Sequence, residues 1–362
     1  MVEENSQRIY NYDLIRIISC ICIILIHTTS FFDNYSKNSI VWWIGNIIQN
    51  FVRTGLPIFV VLSGALMLNS KEESIGIFYK KRIIKIIIPF FIYNFIYFIF
   101  NIYYVIGKFE IEKIFDYIYL IIKGPVYEHF WYIYMILGLY ICTPFLKKMC
   151  KALNQKELNY LTIIILFTSI IKYLLPSLNI NIGITDIVFD GWLSYFLLGY
   201  IITNSQFLQK NRKIFSLLGL LSYIITIIDY RSDYINIHNL YTLSITMFLQ
   251  VIALFLILST VNLKLNSKKK KFLLIFSKYS FEVYLIHGAI MNIIDRINLK
   301  YSIFDNNGLT YNVVFIFMVI VLSYISAFII HNIIINPINK KIYKQKNNKN
   351  SNKSNIINNR KA

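Results

Sequence analysis

The fold is decided by the first apolar stretch of the chain, residues 12–32, which reads YDLIRIISCICIILIHTTSFF. Between Leu14 and Phe32 the only Lys, Arg, His, Asp or Glu residues are Arg16 and His27. A helix needs about 20 predominantly apolar residues to cross the hydrocarbon core of a bilayer. The stretch therefore predicts a transmembrane helix that carries two ionisable side chains.

Arg16 and His27 share one face of this predicted helix. They are eleven residues apart, and at about 100° per residue they end about 20° from three full turns, with a rise of about 16 Å. Asp13 precedes Arg16 by three residues and is close enough to pair with it. Ionisable residues inside a membrane are costly and mark functional sites by default. The structural alternatives are that Arg16 snorkels to the headgroups and that His27 is only hydrogen-bonded to a neighbour.

The composition of the whole chain supports a membrane protein. Hydrophobic residues make up 56% of it and charged residues 15%, whereas soluble domains carry about 25% charged residues. The apolar runs are too long and too uniform for barrel strands, which alternate between apolar and polar residues. Helices satisfy their own backbone hydrogen bonds in lipid. The predicted fold class is therefore all-α, a polytopic integral membrane protein.

Ten apolar runs of suitable length predict ten transmembrane helices. They cover approximately residues 14–32, 44–68, 83–106, 130–149, 159–176, 187–203, 213–230, 240–260, 272–294 and 312–335. Segment 111–123 is amphipathic and is expected to lie in the membrane interface.

The distribution of Lys and Arg predicts the orientation. With the N-terminus in the cytoplasm, most of the 37 Lys and Arg residues fall in inner segments, as the positive-inside rule requires. Both termini are expected in the cytoplasm and the protein in the plasma membrane. The net charge of +19 is explained by anionic lipid headgroups and implies no nucleic-acid partner. Residues 1–343 are expected to form one membrane domain, and the Asn- and Lys-rich residues 344–362 a disordered cytoplasmic tail.

The spacing of Arg16 and His27 is also a family signature. An Arg, ten residues and a His in the first transmembrane helix resemble the acyltransferase family 3 membrane proteins, and Asp13 to Arg16 match their usual opening. The resemblance extends from about Tyr12 to about Pro337. Its further matches, in the family's order, are Ser63-Gly64, His129-x-Trp131 with Tyr140 and Pro144, and Ser280 with Tyr284 and His287.

The resemblance implies an acyl-CoA donor, with acetyl-CoA the expected one. The family often has Arg-x-x-Arg at the cytoplasmic start of the third span, proposed to hold the phosphates of coenzyme A. This chain has Arg82-Ile-Ile-Lys85, with Lys81 beside it. Lys binds phosphate as a point charge and lacks the bidentate fork of Arg, so the departure weakens the match. Ordinary anchoring by positive charges is the alternative interpretation of these residues.

The activity that the resemblance implies is O-acyl transfer from cytosolic acyl-CoA to a hydroxyl of an extracytoplasmic sugar or cell-surface polysaccharide. We expect His27 to be the general base, because imidazole titrates near neutral pH. Arg16 would bind a donor phosphate or hold the helix in place, and Tyr284 is a candidate donor to the oxyanion. The supporting candidates are Asp13, Ser63, His129, Trp131, Tyr284 and His287. Direct transfer and transfer through an acyl-enzyme are both open at this point.

Two further classes of function need comparison with this one. An exporter or transporter of glycans or lipid-linked substrates would also place Arg and His inside its membrane helices, and consumption of acyl-CoA would distinguish the enzyme from it. A purely structural scaffold would not require Arg16 and His27 on one face. The sequence contains no HExxH motif and no Gly-rich phosphate loop, so no metal is expected.

Overall fold

The computed structural model describes residues 9–101, 112–175, 180, 191–232, 243–301 and 309–342. These residues are almost entirely helical, and no β-strand occurs among them. The prediction of an all-α fold is therefore confirmed. The tail predicted at 344–362 lies outside the described residues, and the boundary at residue 343 stays a prediction.

A described α-helix overlaps each of the ten predicted spans, and the second span holds two helices. Residues 102–106, 176, 187–190 and 240–242 of the predicted spans lie outside the described residues. In chain order the described α-helices are α1 (Tyr10–Thr28), α2 (Ile40–Val52), α3 (Gly55–Leu68), α4 (Ile75–Arg82), α5 (Ile88–Asn101), α6 (Glu112–Lys123), α7 (Trp131–Ala152), α8 (Gln155–Ser169), α9 (Gly191–Asn204), α10 (Gln206–Lys210), α11 (Arg212–Ser232), α12 (Ile245–Thr260), α13 (Ser267–Tyr301) and α14 (Leu309–Ile330). Short 3₁₀ turns lie at Ser30–Asn34 and Glu128–Phe130, and π-helical turns at Ile83–Ile87, Ile170–Leu174 and His331–Ile335.

Several of these helical segments are long and apolar enough to cross a membrane by themselves. Within the described residues there are five, namely Tyr10–Asn34, Ile40–Leu68, Ile75–Phe100, Glu128–Ala152 and Leu309–Ile342, and a shorter apolar helix at Ile245–Thr260. They are the segments of a multi-pass membrane protein. The count of ten spans and the cytoplasmic position of both termini stay predictions.

Helix α6 (Glu112–Lys123) covers most of segment 111–123, which the sequence predicts to be amphipathic. Phe115 and Ile122 are exposed, whereas Tyr117 and Ile121 on the opposite face are buried against the bundle. This pattern is typical of a helix that lies along a surface with one apolar face outward. Its position in the membrane interface stays a prediction.

Helix α1 lies at the centre of the bundle, packed chiefly against α3 and α13. Two hydrogen bonds fix it to α13. The Ser277 hydroxyl donates to Asp13 Oδ1 at 2.8 Å, and the Cys20 thiol donates to the carbonyl of Ser280 at 3.3 Å. The residues that make these two bonds are all buried, so breaking either bond would leave a buried polar group unpaired. The bonds therefore fix the rotation of α1 about its axis and the direction in which its Arg16–His27 face points.

Helix α3 approaches α9 so closely that only glycine fits at the contact. A Cβ atom at Gly64 would lie 1.8 Å from the carbonyl oxygen of Phe196, and one at Gly199 would lie 2.1 Å from that of Val61. Small residues allow such backbone contact between membrane helices. Gly64 of the Ser63-Gly64 pair is therefore a packing residue, which leaves Ser63 to be considered separately.

Candidate active site

Three histidines that are far apart in the sequence form one cluster. His27 lies in the last turn of α1, His129 in the 3₁₀ turn before α7, and His287 in the middle of α13. The ring centroids are 6.4 Å apart for His27 and His129, 5.3 Å for His27 and His287, and 4.7 Å for His129 and His287. We call this end of the bundle the histidine side, and the opposite end, where α1 begins, the arginine side.

Hydrogen bonds hold two of these histidines in fixed orientations. The Tyr284 hydroxyl donates to the carbonyl of His129. The Tyr97 hydroxyl lies 3.4 Å from Nε2 of His129 and accepts a 2.8 Å bond from the N–H of Ala289. Nδ1 of His287 lies 2.6 Å from the carbonyl of Tyr284. Since a carbonyl only accepts, Nδ1 of His287 carries the hydrogen in this arrangement and Nε2 is left as an acceptor.

Gly288 makes room for His129 against α13. A Cβ atom at this position would lie 2.7 Å from Cε1 of His129 and 3.0 Å from the Tyr97 hydroxyl oxygen. Sequence reasoning missed Gly288, although a glycine inside a helix, directly after His287, is an unfavourable choice that usually has a packing or functional reason.

The histidine cluster borders a cavity of about 150 Å³ on the histidine side. A cavity of about this volume holds a benzene-sized molecule. His27 is half-buried and faces the cavity, whereas His287 is only 1% exposed and lies behind it. The lining residues are Ile23, Ile26, His27, Arg53, Leu56, His129, Trp131, Tyr132 and Tyr284.

Two residues that line this cavity lie where helices are interrupted or begin. Arg53 lies where the chain breaks between α2 and α3, just before Pro57, which cannot donate a backbone hydrogen bond. Trp131 begins α7 and packs against Trp192 of α9, with ring centroids 5.2 Å apart. Arg53 was not among the predicted site residues. The signal that could have identified it is the free-energy cost of a charged side chain inside an apolar span, which usually marks a functional site.

A second cavity, of about 570 Å³, opens on the arginine side. Cations reach it from three parts of the bundle: Arg16 from α1, Arg82 and Lys85 from α4 and its π-helical turn, and Lys278 from α13. The same cavity is lined by Ser63, Glu282 and His331.

The cations of this cavity are held by specific contacts. Nη1 of Arg16 lies 3.7 Å from Asp13 Oδ1, so the predicted pairing of these residues is confirmed. The guanidinium carbon of Arg82 lies 5.0 Å from the ring centre of Phe78 and 5.7 Å from that of Tyr140. Such cation–π contacts orient a guanidinium while leaving its N–H groups available to other partners.

Two π-helical turns flank the arginine-side cavity. One, Ile83–Ile87, contains Lys85, and the other, His331–Ile335, begins with a histidine that pairs with Glu282 at 2.9 Å. A π-helical turn adds one residue to a helical turn and re-aims the side chains on it, and it frequently marks a functional site.

Lys81 lies outside this arrangement. It pairs with Glu73 in the loop before α4 and is not among the residues that line the arginine-side cavity. In the same loop Glu72 accepts a 2.9 Å bond from Lys151 of α7, and this bond lowers the pKa of the exposed Glu72 carboxyl. Lys81 therefore helps to hold the loop that leads into α4.

Comparison with known proteins decides the family. A family model described as an acyltransferase domain, that of acyltransferase family 3, matches residues 9–348. The chain belongs to the acyltransferase 3 family. It is an enzyme that transfers acyl groups other than aminoacyl groups, which sets aside an exporter without acyl transfer. No curated protein and no solved structure matches the chain.

The two cavities of the acyltransferase meet at Tyr132, which lines both. Its side chain is buried, with its ring 5.9 Å from that of Phe59 and 5.4 Å from that of Tyr284. Ser63, which lines the arginine-side cavity, donates a 2.9 Å bond to the carbonyl of Phe59. Sequence reasoning missed Tyr132, although it directly follows the His129-x-Trp131 motif.

Most of the predicted site residues thus border one of the two cavities. His27, His129, Trp131 and Tyr284 lie at the histidine-side cavity, and Arg16, Ser63, Arg82 and Lys85 at the arginine-side cavity. Asp13 and His287 lie directly behind lining residues, and Lys81 lies apart. No group of three His, Cys, Asp or Glu side chains suited to a metal ion occurs in the part of the chain that the structure describes.

Proposed function

We propose that this acyltransferase moves an acetyl group from cytosolic acetyl-CoA to a hydroxyl of an extracytoplasmic sugar or cell-surface polysaccharide, within the plasma membrane. The observation that carries the proposal is the pair of cavities, one cationic and one bordered by histidines, which meet at Tyr132. A donor that carries phosphates at one end and a thioester at the other fits this arrangement. The acceptor hydroxyl would enter from the histidine side.

The arginine-side cavity would hold the donor. Coenzyme A is anionic at its nucleotide end. Arg16 from α1, and Arg82 and Lys85 from α4 and its π-helical turn, supply positive charge. Arg82 offers a planar fork of N–H groups that suits phosphate, and Lys85 adds a point charge. With the phosphates at this end, the pantetheine arm would extend along the cavity towards Tyr132. Arg16, which is held by Asp13, would bind the donor and keep α1 in register.

The chemistry would take place at the histidine-side cavity. His27 would accept the proton of the acceptor hydroxyl, whose oxygen attacks the thioester carbonyl. The carbon–sulfur bond then breaks, and the sulfur leaves with the proton returned by His27. The products are an acetyl ester and free coenzyme A. His27 is the candidate base because it faces the cavity, whereas His287 lies buried behind it.

The other residues of the cluster would position His27 and His129. His287 has Nδ1 committed to the carbonyl of Tyr284, so its Nε2 is an acceptor that can stabilise a protonated ring beside it. The Tyr284 hydroxyl donates to the carbonyl of His129. Because that hydrogen is already used, we assign Tyr284 to the support of His129 in place of the oxyanion role expected from the sequence.

The dimensions at the junction favour a short acyl group. The histidine-side cavity measures about 150 Å³ and must also admit the acceptor hydroxyl. The ring of Tyr132 is packed between Phe59 and Tyr284 where the two cavities meet. A long acyl chain would have to displace these rings, and close-packed interiors resist added volume. An acetyl group requires the least displacement.

The test uses membranes from cells that produce the protein and matched membranes that produce the His27→Gln variant. Both receive acetyl-CoA with an isotopic label in the acetyl group, and mass spectrometry follows the label into glycans and lipid-linked sugars. We expect labelled product only in membranes that contain the unaltered protein. The label should remain in the sample after the phospholipids are removed. Equal labelling in both membranes, or labelling only from longer acyl-CoA donors, would reject it.

A further inference from the structure

A third cavity lies away from both parts of the candidate active site. It is an open groove of about 460 Å³ between the start of α1, the loop from α12 to α13, and the first turns of α13. Leu14, Leu263, Leu265, Phe272 and Leu273 form its apolar lining, and Lys268 and Lys269 are its polar residues. We call it the loop groove.

The loop groove exposes apolar surface that the bundle does not cover. Leu273 forms its buried wall, whereas Phe272 is 54% exposed and stacks on Phe276 with ring centroids 4.2 Å apart. Leu263 and Leu265 belong to the non-helical loop between α12 and α13, and both line the groove. An apolar groove of this kind on a membrane protein suits a hydrocarbon chain.

Positive charge lies directly beside this apolar lining. Helix α13 begins with Ser267 and then four consecutive lysines, 268–271, where the N–H of Lys269 is capped by Asn266 Oδ1 at 2.9 Å. Cations in the first turn of a helix lie at the positive end of its dipole, which is unfavourable unless an anion is near. The groove is lined by two of these lysines and by no acidic residue.

We propose that the loop groove binds an anionic phospholipid of the arginine-side leaflet. An acyl chain would lie along the leucines and Phe272, and the headgroup phosphate would lie between Lys268 and Lys269. Juxtamembrane lysines attract anionic lipids, and the apolar lining requires an occupant that is both anionic and apolar. The bound chain contacts Leu14, two residues from Arg16, so the lipid also supports the start of α1.

The test compares two double variants that remove the same charge. The groove variant carries Lys268→Gln and Lys269→Gln. The control variant carries Lys270→Gln and Lys271→Gln, which alter neighbouring lysines that do not line the groove. Of these two, Lys270 has its Nζ 5.5 Å from the ring centre of Tyr10. Each protein is placed in bilayers of phosphatidylcholine with or without phosphatidylglycerol. Retained phosphatidylglycerol is counted by native mass spectrometry, and the melting temperature is measured.

The groove variant is expected to bind its tightest phosphatidylglycerol about 30-fold more weakly, as expected for the loss of two lysine contacts. It should also lose the rise in melting temperature that phosphatidylglycerol gives, while the control variant keeps both. Equal losses in the two variants would overturn the proposal in favour of diffuse surface attraction.

Two further experiments distinguish a bound lipid from a bound soluble anion. Phe272→Ser keeps every lysine and should weaken retention of phosphatidylglycerol, because it removes apolar lining. Inorganic phosphate should leave the melting temperature of the unaltered protein unchanged. A rise with phosphate equal to that with phosphatidylglycerol, or unchanged retention in Phe272→Ser, would overturn a lipid site. Elution as a single peak in size-exclusion chromatography verifies that each variant is folded.

Discussion

Replacing Gly288 with Ala is expected to impair catalysis without unfolding the protein. The new Cβ atom would lie 2.7 Å from Cε1 of His129, whereas ordinary contact begins near 3.4 Å. The imidazole must therefore retreat by about 0.7 Å, into a cluster in which His287 and Tyr97 already contact it. Because the ring of His129 lies 6.4 Å from that of His27, the proposed base, the displaced ring would disturb the placement of His27. A misplacement of about 1 Å in a catalytic arrangement can cost about 10²-fold in rate. We expect turnover to fall by about 10- to 100-fold.

The free energy of unfolding should change much less than the rate. Overpacking in a core costs about 1–3 kcal/mol, and replacing a helical Gly with Ala returns about 1 kcal/mol of helix propensity. The net change is about 2 kcal/mol or less. Folded protein should therefore still be recovered, and its amount can be measured by size-exclusion chromatography before the rate is divided by it.

Gly138→Ala is the matched control for Gly288→Ala. Gly138 lies in α7, and a Cβ atom there would meet no atom within 4 Å. The same chemical change should leave acyl transfer per folded molecule unaltered. The assay is transfer of labelled acetyl from acetyl-CoA to membrane glycans, compared for the two variants and the unaltered protein. Unchanged turnover in Gly288→Ala, or an equal loss in Gly138→Ala, would refute a catalytic need for this placement of His129.

Three further predictions concern the two cavities and their junction. His27→Gln should lower turnover by about 10²–10⁴-fold, because the amide keeps a hydrogen bond but cannot accept the proton at neutral pH. Near-normal acyl transfer per folded molecule would exclude His27 as the general base. Replacing Arg82 and Lys85 with Ala should raise KM for acetyl-CoA more than it lowers kcat, and less so at high salt; an unchanged KM would leave these residues as membrane anchors. Tyr132→Ala should widen the junction of the two cavities and raise the rate with butyryl-CoA relative to acetyl-CoA. An unaltered donor preference, measured with the purified variant, would contradict a role of this ring in acyl size.

The sequence by itself determined the fold class and the face of α1. Apolar runs of about 20 residues in a nearly uncharged chain leave helices as the arrangement that satisfies the backbone in lipid. The 3.6-residue period then places Arg16 and His27 on one side of α1. Both are local properties, because they depend on residues that are neighbours along the chain.

Only the tertiary structure decided which side chains meet. Periodicity gives the face of a helix but not the helix that packs against it, so the 4.7 Å separation of His129 and His287 could not be derived from the sequence. For the same reason the sequence could not show that Lys81 pairs with Glu73 and is not among the residues that line the arginine-side cavity. The place of Tyr132 between the two cavities depends on the packing of α1, α3, α7 and α13 together. Such contacts are set by the shape of the whole bundle, because close packing fixes each side chain through neighbours that are distant in the chain.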